Sequence, residues 1–241
     1  MRRPLGLGKS SAFGDRGLAK RLDALASQGA LTGGRLLDVG CGDGAYTIRL
    51  AEGFERVDAI DIQGERRRLF AERLRHSPLA GRIAFHDMSV DRLGYDDGTF
   101  DVITAIEVLE HVAELDRALR EIHRVLKPGG RFSFTTPNRW FPFETHGVLY
   151  RGRRYPPARA PFLTWIDPLH ERLADARTFT AVDLRRRLAA AGLRTAAMGY
   201  IMPPFDRSQV GRRLRPLTDR IERTPLRVFG MALVGTARKP Y

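Results

Sequence analysis

The chain has 241 residues, which suits one α/β domain carrying a small accessory element and excludes two full domains. A single cysteine, Cys41, excludes an internal disulfide framework and a multi-cysteine zinc site, and fits a reducing compartment. The formal net charge is +13, and nearly all of the excess lies in residues 139–241, which hold 20 basic and 8 acidic groups against 21 and 20 in residues 1–138.

The first fifteen residues read as loose. Asp15 is placed to cap a helix running to Gln28, with Leu18, Leu22 and Leu25 on one face and Gly29 as its stop. A strand over 35–39 meets a glycine-rich turn, Gly40 to Gly44, and a helix follows over 45–52. Strands are predicted over 56–62 and 82–86, with a helix over 64–75 between them. Phe100 to Ile106 is a continuous apolar run that suits a strand buried on both faces. Leu115, Leu119, Ile122 and Leu126 form a helical stripe, ended by Lys127-Pro-Gly-Gly130, which turns into a strand over 131–136.

Strands alternating with helices imply a parallel sheet with right-handed crossovers, which binds ligands at the carboxyl ends of its strands. Residues 139–177 break the alternation. The stretch is rich in Pro, Arg and aromatics (Trp140, Phe141, Phe143, Tyr150, Tyr155, Phe162, Trp165) and is too long for an ordinary connection. It reads as a cap over the site, the plainer alternative being a surface excursion packed on the core. A helix over 181–191 and strands near 193–201 and 231–238 complete the sheet. The fold expected is an α/β, Rossmann-like, doubly wound sheet of seven mostly parallel strands. It forms one domain over 1–241, with a core of 30–138 and 178–241 and a cap insertion at 139–177.

The central signal is Leu36-Leu-Asp-Val-Gly-Cys-Gly-Asp-Gly44. Glycines at a strand-to-helix turn let a ligand approach the backbone closely. Read as Gly40-x-Gly42-x-x-Ala45, the turn also satisfies the dinucleotide fingerprint. Asp61, 19 residues after Gly42, stands where a carboxylate binds a ribose diol in either a dinucleotide or an S-adenosyl ligand. Asp38 and Asp43 discriminate. Carboxylates at this helix N-terminus would repel a pyrophosphate, whereas S-adenosylmethionine has no phosphate and carries an ammonium and a sulfonium.

At these residues the sequence resembles the class I S-adenosylmethionine-dependent methyltransferases, in the branch that includes ubiquinone and menaquinone biosynthesis methyltransferases. The matching motifs are LLDVGCGDGAYT (36–47), VDAIDI (57–62), FHDMSV (85–90), FDVITAIEVLEHV (100–112) and RVLKPGGRFSFTTPN (124–138). The resemblance implies that Gly40 and Gly42 contact S-adenosylmethionine, with Cys41 a small residue of the turn rather than a nucleophile. It implies that Asp38 serves the methionine end, Asp61 the ribose hydroxyls and Ile62 the adenine. Asp87 would accept from the adenine amino group beside Met88, and Ala105 to Glu107 would line the floor.

Methyl transfer is an in-line displacement that also requires removal of the acceptor's proton where the acceptor is a hydroxyl or amine. His146 and His170, in the cap region, are the candidate bases. Glu107-x-x-Glu110-His111 offers two carboxylates and an imidazole on adjacent turns, a pattern able to hold a divalent cation. The plainer reading, in which His111 packs on the following helix and no metal is bound, is preferred. His76, His86 and His123 read as structural or surface groups, and the triplets 66–68 and 185–187 as solvated faces. Gly8-Lys9-Ser10 fails as a phosphate loop, because the upstream glycine it needs would fall at Arg3.

Over 205–227, Val210, Leu214, Leu217 and Ile221 recur at helical spacing among arginines, a basic amphipathic pattern that reads first as a helical insertion packed on its own domain and, alternatively, as suited to an anionic membrane surface. Pro216 is expected to divide it into two short helices. The function expected is transfer of a methyl group from S-adenosylmethionine to a small-molecule, lipid or glycan acceptor, by O-methylation. Peripheral membrane contact and a lipid-linked acceptor fit the pattern, and nucleic acid is disfavoured. The rivals are an RNA methyltransferase using the basic C-terminal region and a non-catalytic S-adenosylmethionine-binding regulator. No apolar stretch of about 20 residues suits a bilayer span and none follows Arg2-Arg3 as a signal, so a cytoplasmic location is expected.

Overall fold

A computed structural model describes residues 15–29, 31–205 and 209–241; residues 1–14, on which the expectation of a loose start and the rejected phosphate-loop reading fall, lie outside them. The elements run α1 (Asp15–Ser27), β1 (Gly33–Val39), α2 (Ala45–Leu50), β2 (Phe54–Asp61), α3 (Arg66–Leu74), β3 (Ile83–Asp87), β4 (Phe100–Ile106), α4 (Leu115–Val125) and β5 (Leu126–Pro137). They continue with β6 (Val148–Tyr150), β7 (Arg153–Tyr155), α5 (Asp167–Leu173), α6 (Ala181–Ala190), β8 (Arg194–Ile201), α7 (Gln209–Ile221) and β9 (Ala232–Arg238).

Seven strands form one sheet in the order β3-β2-β1-β4-β5-β9-β8. β1 to β5 are parallel, and β9 runs antiparallel to both β5 and β8. After β1 the chain builds outward through β2 and β3, then returns to lay β4 on β1's other side. The crevice for a ligand opens at that reversal, outside the carboxyl ends of β1 and β4.

The sheet is covered on both faces, as the apolar run of β4 requires. Ile103, Phe132 and Phe134 pack with Leu119 and Ile122 of α4 and Leu184 and Leu188 of α6. Val102 and Ile106 pack on the opposite side with Leu25, Tyr46, Leu50 and Phe70. Thr180 caps α6 by accepting from the Asp183 N–H.

Two expectations need refinement. Residues 139–177 leave and rejoin the sheet at one neck. The Phe179 N–H donates to the Pro137 carbonyl, the Arg139 N–H donates to the Phe179 carbonyl, and Asn138 bridges to Phe179. The excursion, which holds the β6–β7 hairpin and α5, is thus rooted at the carboxyl end of β5. The division of α7 by Pro216 is corrected: a single helix runs through it. Pro216 lies on the exposed side, where solvent can satisfy the Arg212 carbonyl that loses its donor. The opposite side is tied to α1 by Asp219 with Arg16 and Lys20, and by Glu222 with Lys20. Among the described residues no helix is long and apolar enough to cross a membrane.

Candidate active site

The glycine turn closes on β2. The N–H groups of Gly40 and Cys41 both donate to the Ile60 carbonyl, at 2.8 and 3.0 Å. Gly40 has φ 67°, and a Cβ there would lie 2.4 Å from the Val108 side chain, so only glycine fits. The Gly42 N–H donates to Asp61 Oδ2 at 2.9 Å, and the Gln63 N–H donates to Asp61 Oδ1 at 2.8 Å. Asp61 therefore fixes the turn against the end of β2, with Arg66 3.8 Å away. Asp87 ends β3 beside it, in register and exposed, and the Met88 N–H donates to the Asp61 carbonyl. Ile62 projects at the same end, 56% exposed. Cys41 is buried, which pushes its thiol well above the usual range and excludes a reactive thiolate. Ala105 is fully buried between β1 and β5.

Asp38 lies beneath the turn, with Oδ2 accepting from Thr47 at 2.7 Å and Oδ1 from Thr104 at 2.8 Å. Both its oxygens are engaged by hydroxyls, so its direct work is to hold α2 and β4 under the turn. Burial raises its pKa to about 6, against the two hydroxyls, with Asp61 adding to the rise. The donor set at these strand ends is acidic: Asp38, Asp43, Asp61 and Asp87. That fits an ammonium and a ribose diol and does not fit a pyrophosphate.

The second half of the site is the floor after β4. Glu107 has φ 57°, uncommon for a side chain other than glycine. Its N–H donates to the Thr135 carbonyl, and its Oε1 accepts from Thr135 Oγ1 at 2.9 Å and from Arg21 Nε at 3.4 Å. Arg21, on α1, is completely buried. Burial alone would raise the Glu107 carboxyl, but Arg21, His146 and Thr135 hold it below the ordinary value. Glu110 is also fully buried, and burial with the neighbouring Glu107 charge pushes its carboxyl well up. Its Oε2 accepts from Thr136 Oγ1 at 3.0 Å, while Oε1 lies 3.6 Å from His146 Nε2. The His111 and His146 rings meet edge-on with centroids 5.0 Å apart. Ligand atoms of Glu110, His111 and His146 all lie within 4.8 Å of one another.

The 139–177 excursion delivers His146 to this floor. Glu144 Oε1 accepts from the His146 N–H at 2.8 Å, and its Oε2 pairs with His170 Nε2 at 2.6 Å. Burial lowers the His146 pKa, with Glu107, Glu144 and Asp175 pulling it partly back.

The residues of this site coincide with a known domain. Residues 37–134, from the glycine turn through β5, match the family model described as "Methyltransferase domain". The ubiquinone biosynthesis O-methyltransferase of Xanthomonas oryzae pv. oryzae is 33% identical over 152 residues, 61% of this chain and 63% of that protein. Over residues 37–134 this chain is similar to that methyltransferase domain. It spans about 63% of the length of the curated relatives it matches first. Among solved structures it resembles the [4+2]-cyclase SpnF, 26% identical with TM-score 0.63, over 98% of this chain and 89% of that one. A methyltransferase from Mesorhizobium loti shares the fold at 22% identity and TM-score 0.63, over 91% and 97% of the two chains.

The two candidate bases, both C-terminal to the matched residues, part company. His146 joins the floor. His170 does not: it is 2% exposed and engaged by Glu144, itself 2% exposed, so it braces the strand of chain that carries His146. Arg66 is not a solvated residue but lies against Asp61 and Gln63. His86 is structural as read, with Nε2 3.2 Å from Asp58 Oδ1. Sequence reasoning missed Arg21, Glu144 and Thr135. The available signal for Arg21 was a charge on the apolar face of α1, three residues after Leu18 and four before Leu25.

Asp38 gives a pH prediction. Its folded pKa is raised above the unfolded value near 3.8, so the folded state holds its proton longer. Its contribution to stability is therefore present below about pH 4, falls as pH rises to about 6, and is flat above. Asp38→Asn removes this dependence. Between pH 4 and 7 the unfolding free energy of wild type should fall relative to the variant by about 2 kcal/mol, measured by urea titration.

Proposed function

We propose that this protein is an S-adenosylmethionine-dependent O-methyltransferase acting on a small amphipathic acceptor, a phenol or lipid-like hydroxyl compound. The acceptor would sit between the glycine turn and residues 139–177, which act as a cap. One observation carries the reading: His146, from the cap, meets Glu107, Glu110 and His111 at the carboxyl end of β4, beside the cofactor turn. S-adenosylmethionine, when bound, supplies an electrophilic methyl. The chain's own tasks are to align the acceptor oxygen, take its proton and exclude water. His146, kept neutral by burial, is suited to accept that proton at Nε2, because Nδ1 lies 3.1 Å from Thr145 Oγ1 and can hold its own proton there. Asp61 and Asp87 would take the ribose hydroxyls and adenine amino group, with Ile62 and Met88 against the base. Gly40, Cys41, Gly42 and Ala105 would supply close backbone, and Asp38 would act on the ammonium through its charge.

The curated relatives' names support O-methylation, and the exposed aromatics of the cap support an amphipathic acceptor and peripheral membrane contact. The cyclase among the neighbours shows why the fold alone does not assign methyl transfer. A second reading has specific support in the cluster of Glu110, His111 and His146, which would hold a divalent cation able to lower the pKa of an acceptor hydroxyl. A panel of phenols with and without alkyl tails, read by formation of S-adenosylhomocysteine, tests the function. Turnover that grows with tail length is expected, and turnover only on RNA would overturn it. Loss of turnover in EDTA, restored by Mg²⁺ or Zn²⁺, would select the cation over the free base.

A further inference from the structure

Helix α7 is packed the wrong way round for a helix of an isolated soluble domain. Its inward side is polar: Thr218 is buried, Asp219 and Glu222 pair with Arg16 and Lys20 of α1, and Arg215 donates to the Phe205 carbonyl. Its outward side carries Leu217, 55% exposed, with Arg213 and Arg220 four residues before and three after it. Leu214 flanks them, 41% exposed. The chain then runs through Leu226 and Phe229, also largely exposed, to a ring contact between Phe229 and Trp165 of the cap, centroids 6.4 Å apart. Trp165 stacks edge-on with Phe162 at 4.9 Å, and its indole N–H donates to the Trp140 carbonyl. The Phe162 N–H donates to the Pro142 carbonyl, and Phe143 bridges to Pro161. Trp140, Phe143, Phe162, Trp165 and Phe229 therefore form one connected surface, each at least 40% exposed.

Patches of this kind on soluble proteins mark interaction sites. Three features identify the occupant. The apolar groups are aromatic and leucine side chains that project from this connected surface, with Arg213 and Arg220 beside Leu217. Two of them are tryptophans, which favour the headgroup level of a bilayer. The segment that bears them, residues 139–241, carries 20 basic against 8 acidic groups. We propose that the outer face of α7, the 225–229 turn and the aromatic rim of the cap form one docking surface for an anionic phospholipid bilayer. The leucines and aromatics enter the headgroup boundary, and Arg213 and Arg220 pair with lipid phosphates. The proposal rests on the reading above for the amphipathic acceptor, which would enter under the cap from the bilayer side.

The test uses the full chain with vesicles of phosphatidylcholine alone and of phosphatidylcholine with about one third phosphatidylglycerol. Both tryptophans of the protein lie on the proposed face, so their fluorescence reads it directly. A blue shift and co-sedimentation with the anionic vesicles, weakening with salt and absent with the neutral ones, are expected. Arg213→Ala with Arg220→Ala should lower partitioning about 30-fold, from about fivefold per arginine. Leu217→Glu should abolish it while S-adenosylmethionine binding is unchanged, which shows the variant folded. No shift with anionic vesicles, or partitioning that survives Leu217→Glu, would overturn the proposal. So would a concentration-dependent dimer that covers both tryptophans, or saturable RNA binding without vesicle binding. Failure here with intact turnover leaves the methyltransferase reading standing; failure of S-adenosylmethionine binding with intact partitioning removes that reading and leaves the surface.

Discussion

His146→Ala is expected to lower kcat by about 10²- to 10⁴-fold, the range for loss of a positioned general base, while S-adenosylmethionine affinity changes little. His146 stands opposite Glu110, with Nε2 3.6 Å from its Oε1, and is oriented through its backbone by Glu144. It is supplied by the 139–177 excursion and not by the glycine turn, so on the proposed reading the loss should fall on kcat rather than on cofactor binding. Glu144→Gln keeps the fold of this segment but weakens the hold on His146 and His170. It should shift the pH profile of kcat and lower the rate less than the alanine variant does. A kcat within about threefold of wild type for His146→Ala would place the proton acceptor elsewhere. His170→Ala should reduce thermal stability while leaving more activity than His146→Ala, because its ring faces Glu144 and not the floor.

Arg21→Met is expected to cost about 3–5 kcal/mol of stability, the range for breaking a buried ion pair from one side. For a domain of this size that lowers Tm by roughly 6–20 °C. Arg21 is wholly buried and reaches Glu107, a residue already held at positive φ. Without the guanidinium, Glu107 still accepts from Thr135, but burial would drive its carboxyl upward. Cofactor affinity should fall with it, because Glu107 forms the floor beside the turn. The control is Lys20→Met one residue away, whose partly exposed pairs with Asp219 and Glu222 are worth about 1 kcal/mol or less. Equal Tm shifts in the two variants, measured calorimetrically, would show that the Arg21–Glu107 pair has no special role.

The frame of the molecule was legible because its signals are local. The run Phe100 to Ile106 is a strand with the bounds its apolarity implied, and Gly40 is a glycine for a reason that backbone conformation and Val108 together enforce. Asp61 was legible because its distance from Gly42 reflects one turn, one helix and one strand. The floor was legible only in part. Glu107, Glu110 and His111 lie close in sequence, but the residue that completes their cluster, His146, comes from a chain excursion whose path periodicity does not encode. The bury-or-expose decision on α7 was likewise beyond the pattern. The stripe suited either a face packed on its own domain or an outer surface, and the ion pairs to α1 turned the opposite side inward. Pro216 failed as a helix breaker for a related reason: tertiary pairing on one side and solvent on the other hold the helix through it. Arg21 shows the limit most plainly, since an arginine on an apolar helix face is a signal only once its buried partner is known.

The most direct measurement is calorimetric binding of S-adenosylmethionine, S-adenosylhomocysteine and NAD to wild type, Asp61→Ala and Asp61→Asn. Asparagine retains an acceptor for the Gly42 N–H and so separates loss of the ligand contact from loss of the turn. The expected result is micromolar binding of both S-adenosyl compounds and none of NAD. Both variants should bind about 10- to 100-fold more weakly, as loss of charge-assisted hydrogen bonds to the ribose implies. No binding of either S-adenosyl compound by a folded wild type, or a preference for NAD, would contradict the cofactor assignment on which the site is built.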